Sequence, residues 1–253
     1  MVDPFNCLVC AHNEEGYIED CLRSIVAQTH PPKLVVVVAD RCTDHTVAIA
    51  EKEPETLRSE VIEKTRSSWK NSISENLQLG LKHMLGDALV MVDADMTLPS
   101  TFLEALLPEL DGYAVVSALV RTDPSKGGLN RLVALWELTY RFAPLGEQPR
   151  GGARAISISA LTALGGFRDV YAWESDLDNR LRKMGFKVKL DRRVTVLHRR
   201  RMTLARSMAY QVQAGIARRQ LGISAMRTML HAVGRLRPFV LYGYLKYRMD
   251  HGS

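Results

Sequence analysis

Apolar and polar positions along this chain change period several times, and each change marks an element. Phe5–Ala11 has a single polar member, Asn6, and is short enough and apolar enough to be a strand buried on both faces. Over Glu14–Gln28 the period lengthens: Ile18, Cys21, Leu22, Ile25 and Val26 fall on one helical face, and His30-Pro31-Pro32 ends the helix. Leu34–Ala39, mostly valine, predicts a second strand, and the polar turn from Asp40 to Asp44 leads to a helix near His45–Lys52. A third strand is expected at Arg58–Ile62. Ser72–Leu85 reads as a helix ended by Gly86, and Ala88–Val92 as a fourth strand running straight into Asp93-Ala94-Asp95. Valine-rich strands alternating with amphipathic helices predict an α/β fold with a parallel sheet covered on both faces.

The second half is more mixed. Tyr113–Val120 is strand-like, Leu129–Phe142 helical, and Gly151-Gly152 opens a small-residue stretch holding another strand. After the turn at Gly165-Gly166, Glu174–Met184 is a helix stopped by Gly185, followed by two short strands, Lys187–Leu190 and Val194–Leu197. From Thr203 onward the chain reads as helical. No internal repeat and no linker-like segment is visible.

Composition changes this picture mainly through charge. A hydrophobic share of 46% over 253 residues is that of a folded globular protein and excludes disordered and fibrous classes. The net charge of +6 is unevenly spread. Residues 1–198 hold 23 Lys+Arg against 27 Asp+Glu, whereas residues 199–253 hold 11 against one, Asp250. A basic tail on an acidic body suits a phosphate-bearing partner: nucleic acid, an anionic membrane surface or a phosphorylated substrate. The alternative is a solvated helical face. The longest run free of Asp, Glu, Lys, Arg and His is 13 residues, Ala155–Phe167, whereas a spanning helix needs roughly 20. No secretory leader opens the sequence, and four cysteines are too few for a disulfide scaffold; both fit the cytoplasm. Cys7 and Cys10 form a CxxC with no second pair to complete a zinc set.

The candidate chemistry gathers at the carboxyl ends of the predicted strands, where ligands bind in open parallel sheets. Asn13-Glu14-Glu15 follows the first strand, Asp40 and Asp44 the second, and Asp93 and Asp95 the fourth. Residues i and i+2 at an extended strand end point to one side, so Asp93 and Asp95 converge, and a hard divalent cation relieves their repulsion. The competing use is structural, with Asp95 or Thr97 capping a helix after Pro99. Neither a GxGxxG after the first strand nor a GxxxxGK[ST] is present, so a nucleotide would be held by acids, with a metal on its phosphates.

These residues in order resemble a known family. Cys10-Ala11-His12-Asn13-Glu14-Glu15, Val38 to Thr46, Val92-Asp93-Ala94-Asp95, Gly151-Gly152-Ala153, Gly165-Gly166-Phe167 and Trp173-Glu174-Ser175-Asp176 before Arg180–Gly185 are similar to the inverting glycosyltransferases of family two, over roughly residues 5–200. The resemblance implies a GT-A fold, with a Rossmann-like, mostly parallel sheet flanked by helices, a nucleotide-sugar donor, and Mg2+ or Mn2+. By position it implies that Ala11, His12 and Glu14 line the base and ribose pocket, that Asp40 meets the base edge, and that Lys70 or Arg66 fills a basic position before the central helix. Asp93 would contact ribose or metal, Asp95 the metal, and His198 the metal as well. Gly151, Gly152 and Trp173 would border the acceptor. Inverting transfer also needs a carboxylate base for the acceptor hydroxyl. The family usually shows Glu-Asp at the start of this helix; here the motif is altered, leaving Glu174 or Asp176 as the base, with Asp178 complementing the helix N-terminus.

The expected organisation is a catalytic unit over residues 1–198, with a nucleotide-sugar half near 1–98 and an acceptor half near 99–198, and a basic amphipathic helical tail over 199–253. Arginines interleaved with bulky apolar residues in the tail suit helices lying on a membrane surface, and hence a lipid-linked acceptor such as a polyprenyl carrier, or a glycan. The same faces could instead pack on the body or on a second copy in a homodimer. Nucleic acid is not expected as a partner, because it leaves the acidic clusters unexplained. The competing classes are a nucleotidyltransferase on a similar sheet, which would want a glycine-rich cationic loop where Cys10–Gly16 is acidic, and a non-catalytic binder of nucleic acid or anionic surfaces.

Overall fold

The computed structural model describes residues 5–52, 58–142, 149 and 151–250, so the first four and last three residues of the expected segments lie outside it. In chain order the elements are β1 Phe5–Ala11, α1 Ile18–Val26, β2 Val35–Asp40, α2 Thr46–Lys52, β3 Ser59–Lys64, α3 Ser72–Leu81, β4 Ala88–Asp93, β5 Met96–Thr97, α4 Phe102–Leu106, β6 Val115–Thr122, α5 Gly128–Leu138, β7 Ala153–Ser157, α6 Ile158–Ala163, α7 Trp173–Lys183, β8 Val188–His198, α8 Leu204–Gln220, α9 Ala225–Gly234 and α10 Pro238–Asp250. One sheet in the order β3-β2-β1-β4-β7-β6-β8-β5 runs through the body. The first four strands are mutually parallel; β7 is antiparallel to both β4 and β6, and β8 runs parallel to β6.

Both faces of the central strands β1, β2 and β4 are buried, which is why these strands are almost uniformly apolar, whereas β3 and β8 carry charged residues. Cys7, Val9, Val35, Val37, Val90 and Val92 pack on one side with α1 and α4. Leu8, Val36, Val38, Leu89 and Met91 pack on the other with α3, α6 and α7. Gly80 of α3 lies so close to β1 that an added Cβ would stand 2.3 Å from Leu8 Cδ1. The parallel register pairs Cys10 with Asp93, Ala11 with Ala39 and Asp40 with Lys64, which brings the carboxyl ends of four strands to one edge.

Three expectations are corrected. The helix from Ser72 ends at Leu81 rather than Leu85, and residues 82–86 turn into β4 through Gly86 at φ 99°. The helix expected from Glu14 begins at Ile18, after a turn in which the Glu14 carbonyl accepts the Tyr17 and Ile18 N–H groups. The two short strands after Gly185 are one, β8, with a register shift opposite Ala118/Leu119 that absorbs the polar Asp191-Arg192-Arg193. The bulge broke the apolar pattern without breaking the strand.

The tail forms three helices packed on one another. A Cβ on Gly215 of α8 would stand 2.1 Å from the Val240 carbonyl oxygen, and one on Gly243 of α10 would stand 2.1 Å from that of Val212. Tyr244 is buried between the helices, donates its hydroxyl to the Ile223 carbonyl, and carries Arg219 5.1 Å above its ring. The tail also touches the body: Gln220 accepts the Tyr171 N–H, and the Arg235 carbonyl accepts the Trp136 indole N–H at 3.2 Å.

Candidate active site

At the ends of β1 and β2 the backbone turns sharply, with Asn13 and Arg41 both in the left-handed region at φ 55° and 51°. The turns are fixed by side chains. Asn13 Oδ1 accepts the Thr43 N–H at 2.8 Å, and His12 Nδ1 lies 2.6 Å from the Asp40 carbonyl. Ala11 is buried below them. Asp44 and Glu15, part of the acidic clusters read from the sequence, hold this loop: Asp44 accepts from Thr46 and Glu15 N–H groups, and Glu15 binds His45. Glu14 and Asp40, by contrast, are buried.

Asp40 sits in a cationic cage. Arg41 Nε donates to it at 2.8 Å, Asn76 at 3.3 Å and Ser72 Oγ closely, with Lys64 Nζ 3.4 Å away. Burial alone would raise this carboxyl, but those hydrogen bonds and the Lys64 charge outweigh it and hold it below its ordinary value. Lys64, which the sequence reading did not single out, is the lysine that stands beside Asp40, and its Nζ also donates to Glu75 at 2.8 Å and Asn76 at 2.5 Å. Lys70 and Arg66 lie exposed on the connection between β3 and α3, and the Lys70 backbone is tied to Asp169 at 2.9 Å. Lys64 was hidden because the third strand runs two residues beyond its apolar run.

Asp93 ends β4, its N–H donating to the Gly152 carbonyl at 2.8 Å, and Asp95 follows on the turn into β5. Neither Asp95 nor Thr97 caps α4, whose N-cap is Thr101, so the structural alternative for the acidic pair fails. Asp95 is 4% exposed and meets two cationic or imidazole groups: His198 Nε2 at 3.0 Å and Arg200 Nε at 2.6 Å. Arg200 reaches on to Glu14 and so links the two acidic clusters. Burial, then the charge of Asp95, pushes the Asp93 carboxyl up to about 7. His198 arrives here because β8 ends beside both β5 and β6, paired with Met96 and Thr122. Arg200 went unrecognised because it sits in a run of three arginines that reads as general tail charge.

On the far wall, the N-terminal turn of α7 presents Glu174 toward Asp93. Asp176 turns away, bound to Arg180 Nε at 2.7 Å, while that guanidinium also donates to the Leu164 and Gly166 carbonyls. Asp178 does not serve the helix terminus as expected. It neutralises Arg154 of β7, which is fully buried, with contacts of 3.0 and 3.4 Å. The Arg154 guanidinium in turn lies 5.4 Å from the Trp173 ring.

These walls enclose a cavity of about 660 Å³ lined by Asp93, Gly151, Gly152, Trp173, Glu174 and His198 among others. Side chains close in on both glycines: a Cβ on Gly151 would lie 2.5 Å from Trp173 Cζ2, and one on Gly152 2.0 Å from Met96 Cε and 2.8 Å from Asp93 Oδ2. The opposite side comes from α5 through Val133 and Trp136, from the turn after it through Tyr140, and from the tail through Tyr210, Gln211 and Arg235. Gln211 Oε1 is buried there with no hydrogen-bond partner among the described residues, an acceptor left over for a ligand. His198, Asp95 and Asp93 offer hard oxygen and imidazole donors, a set chemically suited to Mn2+ or Mg2+, although among the described residues no three such groups are already drawn into a coordination cluster.

Comparison with known proteins agrees with this architecture. A mannosyltransferase from Pyrobaculum calidifontis, solved in complex with GDP-Man and Mn2+, is similar over 100% of this chain and 78% of its own, with a TM-score of 0.67 and 23% identity. Glucosyl-3-phosphoglycerate synthase from Mycobacterium tuberculosis, solved with Mn2+, UDP-glucose and phosphoglyceric acid, is similar over 87% of this chain and 80% of its own, with a TM-score of 0.64 and 22% identity. At such identities the likeness shows a shared GT-A fold. Among curated sequences, Glycosyltransferase GlyA of Streptococcus pneumoniae is 29% identical over 111 residues, which is 44% of this chain but spans only 16% of that relative. Residues 7–171 match the family described as Glycosyl transferase family 2, from β1 through the acidic pair to the loop before α7. On that match, and with the sheet edge arranged as above, this chain belongs to glycosyl transferase family 2.

Proposed function

We propose that this chain is a divalent-metal-dependent, inverting glycosyltransferase that moves a sugar from a UDP- or GDP-sugar to a hydroxyl or phosphate of a lipid-linked or glycan acceptor. The observation that carries this reading is that Asp93, His198 and Glu174 line one cavity, with Asp95 beside His198 at its edge. Residues 1–98 would hold the donor, residues 99–198 the acceptor, and the tail 199–253 would close the acceptor side through Gln211 and Arg235.

In this reading Ala11, His12, Glu14 and Asp40 with Lys64 receive base and ribose. Asp95, Asp93 and His198 hold Mn2+ or Mg2+, which when bound supplies Lewis-acid stabilisation of the leaving diphosphate. Glu174 takes the proton of the acceptor hydroxyl. It faces the cavity, whereas the alternative base, Asp176, is engaged by Arg180. The buried Arg154 is paired with Asp178, and its nearby guanidinium favours the charged form of Asp93 by a small amount. Trp173 and the two glycines shape the wall along which the acceptor lies.

The test is thermal stabilisation by UDP- and GDP-sugars with Mn2+, in the wild type and in Asp95→Ala. At least one donor should stabilise the wild type only with the cation present, and Asp95→Ala should lose the effect. Turnover should then fall by roughly 10²–10⁴ in Glu174→Gln and by far less in Asp176→Asn. A wild type that no nucleotide sugar stabilises would overturn the donor assignment, and full turnover in Glu174→Gln would remove that residue as the base.

A further inference from the structure

Resting on the acceptor reading above, we infer that the outward apolar faces of α5 and α9 seat this chain on an anionic lipid surface, with the mouth of the cavity opening onto it. Helix α5 turns Leu132, Leu135 and Leu138 to solvent, the first two each 64% exposed. Helix α9 exposes Met226, Leu230 and Val233 at 70, 64 and 70%, while its opposite face buries Thr228 and Ala232. Spacings of four and three residues put these three on one stripe, and Leu236, just past the helix, stands 85% exposed. Exposed apolar rows of this extent mark an interaction surface.

Arg235, just past α9, ties that helix to the C-terminal end of α5. Its carbonyl accepts the Trp136 indole N–H, its guanidinium donates to Thr139 Oγ1 at 2.7 Å, and it lies 4.4 Å from the Tyr140 ring centre. Leu132, Arg235 and Leu236 also line the cavity whose inner end holds Glu174 and Asp93. The apolar face and the acceptor cavity are therefore continuous, so an acceptor with a long apolar chain and a polar head could leave a bilayer without crossing water.

Charge selects the occupant. Across residues 128–140 and 225–237 there are four arginines, Arg131, Arg227, Arg235 and Arg237, and one carboxylate, Glu137. Glu137 is 2% exposed and is bound to the Thr122 N–H and hydroxyl. Pressing this face on a second copy would set the exposed Arg131 and Arg227 of each copy against like charge, whereas anionic headgroups complement them. Among the described residues no helix is long and apolar enough to cross a membrane, so the association is with the surface.

Cosedimentation of the full chain with vesicles tests this. Phosphatidylcholine mixed with phosphatidylglycerol should bind the wild type and neutral phosphatidylcholine should bind it far less, with high salt weakening the difference. Leu230→Glu and Leu135→Glu should each reduce binding to the anionic vesicles about tenfold or more, while leaving the melting temperature and the nucleotide-sugar stabilisation unchanged. Absence of wild-type binding to the anionic vesicles, equal binding by both variants, or a wild-type dimer in light scattering that Leu230→Glu dissolves would overturn the proposal. Donor stabilisation, read on the same samples, reports separately on the glycosyltransferase assignment.

Discussion

Arg200 offers the sharpest test of how the acidic site is balanced. Glu14 and Asp95 are 5% and 4% exposed, and one guanidinium spans both. Replacing it in Arg200→Met keeps much of the stem's packing and leaves two buried carboxylates without that charge. Unit charges about 4 Å apart interact by about 4 kcal/mol at an effective dielectric constant near 20. Removing one partner of a buried pair costs about 3–5 kcal/mol. His198 still faces Asp95, and Arg200 is itself 22% exposed, so about 2–4 kcal/mol is expected here. For a chain of this size that is a fall in Tm of roughly 5–10 °C without divalent cation. The same calculation gives a second, opposite effect. Under the proposed metal role, Mn2+ no longer competes with a fixed guanidinium, so Arg200→Met should gain more Tm from Mn2+ alone than the wild type does. Differential scanning fluorimetry across a Mn2+ titration reads both. Equal metal-free stability of the two proteins, or a smaller Mn2+ response in the variant, would refute the reasoning.

Arg154→Met should cost about 3–5 kcal/mol by stranding Asp178 in the core, and Arg154→Met/Asp178→Leu should recover a large part of it; urea denaturation checks both. Gly243→Ala places a methyl 2.1 Å from the Val212 carbonyl oxygen and should lower the urea midpoint by forcing α8 and α10 apart, at about 1–3 kcal/mol. For Glu75, burial would raise the carboxyl, but hydrogen bonds from Lys64, Ser67 and Ser68 win and hold it well below its ordinary value of 4.5. A depressed folded-state value adds stability that is present above that ordinary value and is lost as pH falls below it. Glu75→Gln should therefore flatten the acid limb of the stability curve, and an unchanged limb in equilibrium unfolding would contradict this.

Much of the N-terminal half was legible because its physics is local. Buried parallel strands must be continuously apolar, so β1, β2 and β4 appeared as valine-rich runs, and the acids that follow them lie at the carboxyl edge by topology alone. The uneven charge, the GT-A architecture and the candidate residues Asp93, Asp95, Glu174 and His198 were likewise readable in order along the chain. What sequence left open was which polar groups meet. Two carboxylates in one helical turn look equivalent until Arg180 takes Asp176 and the cavity takes Glu174. Asp178 looks like a helix-terminus charge until β7 carries Arg154 beneath it. Lys64 and Arg200 carry no local signature, because their partners lie on other elements, Glu14 as far as 186 residues from Arg200. The sequence by itself determined the layers, the edge at which the candidate site lies and the stock of charges there. Tertiary structure decided which of those charges are spent on one another and which face the cavity, because pairing depends on approach in space, and no periodicity along the chain encodes it.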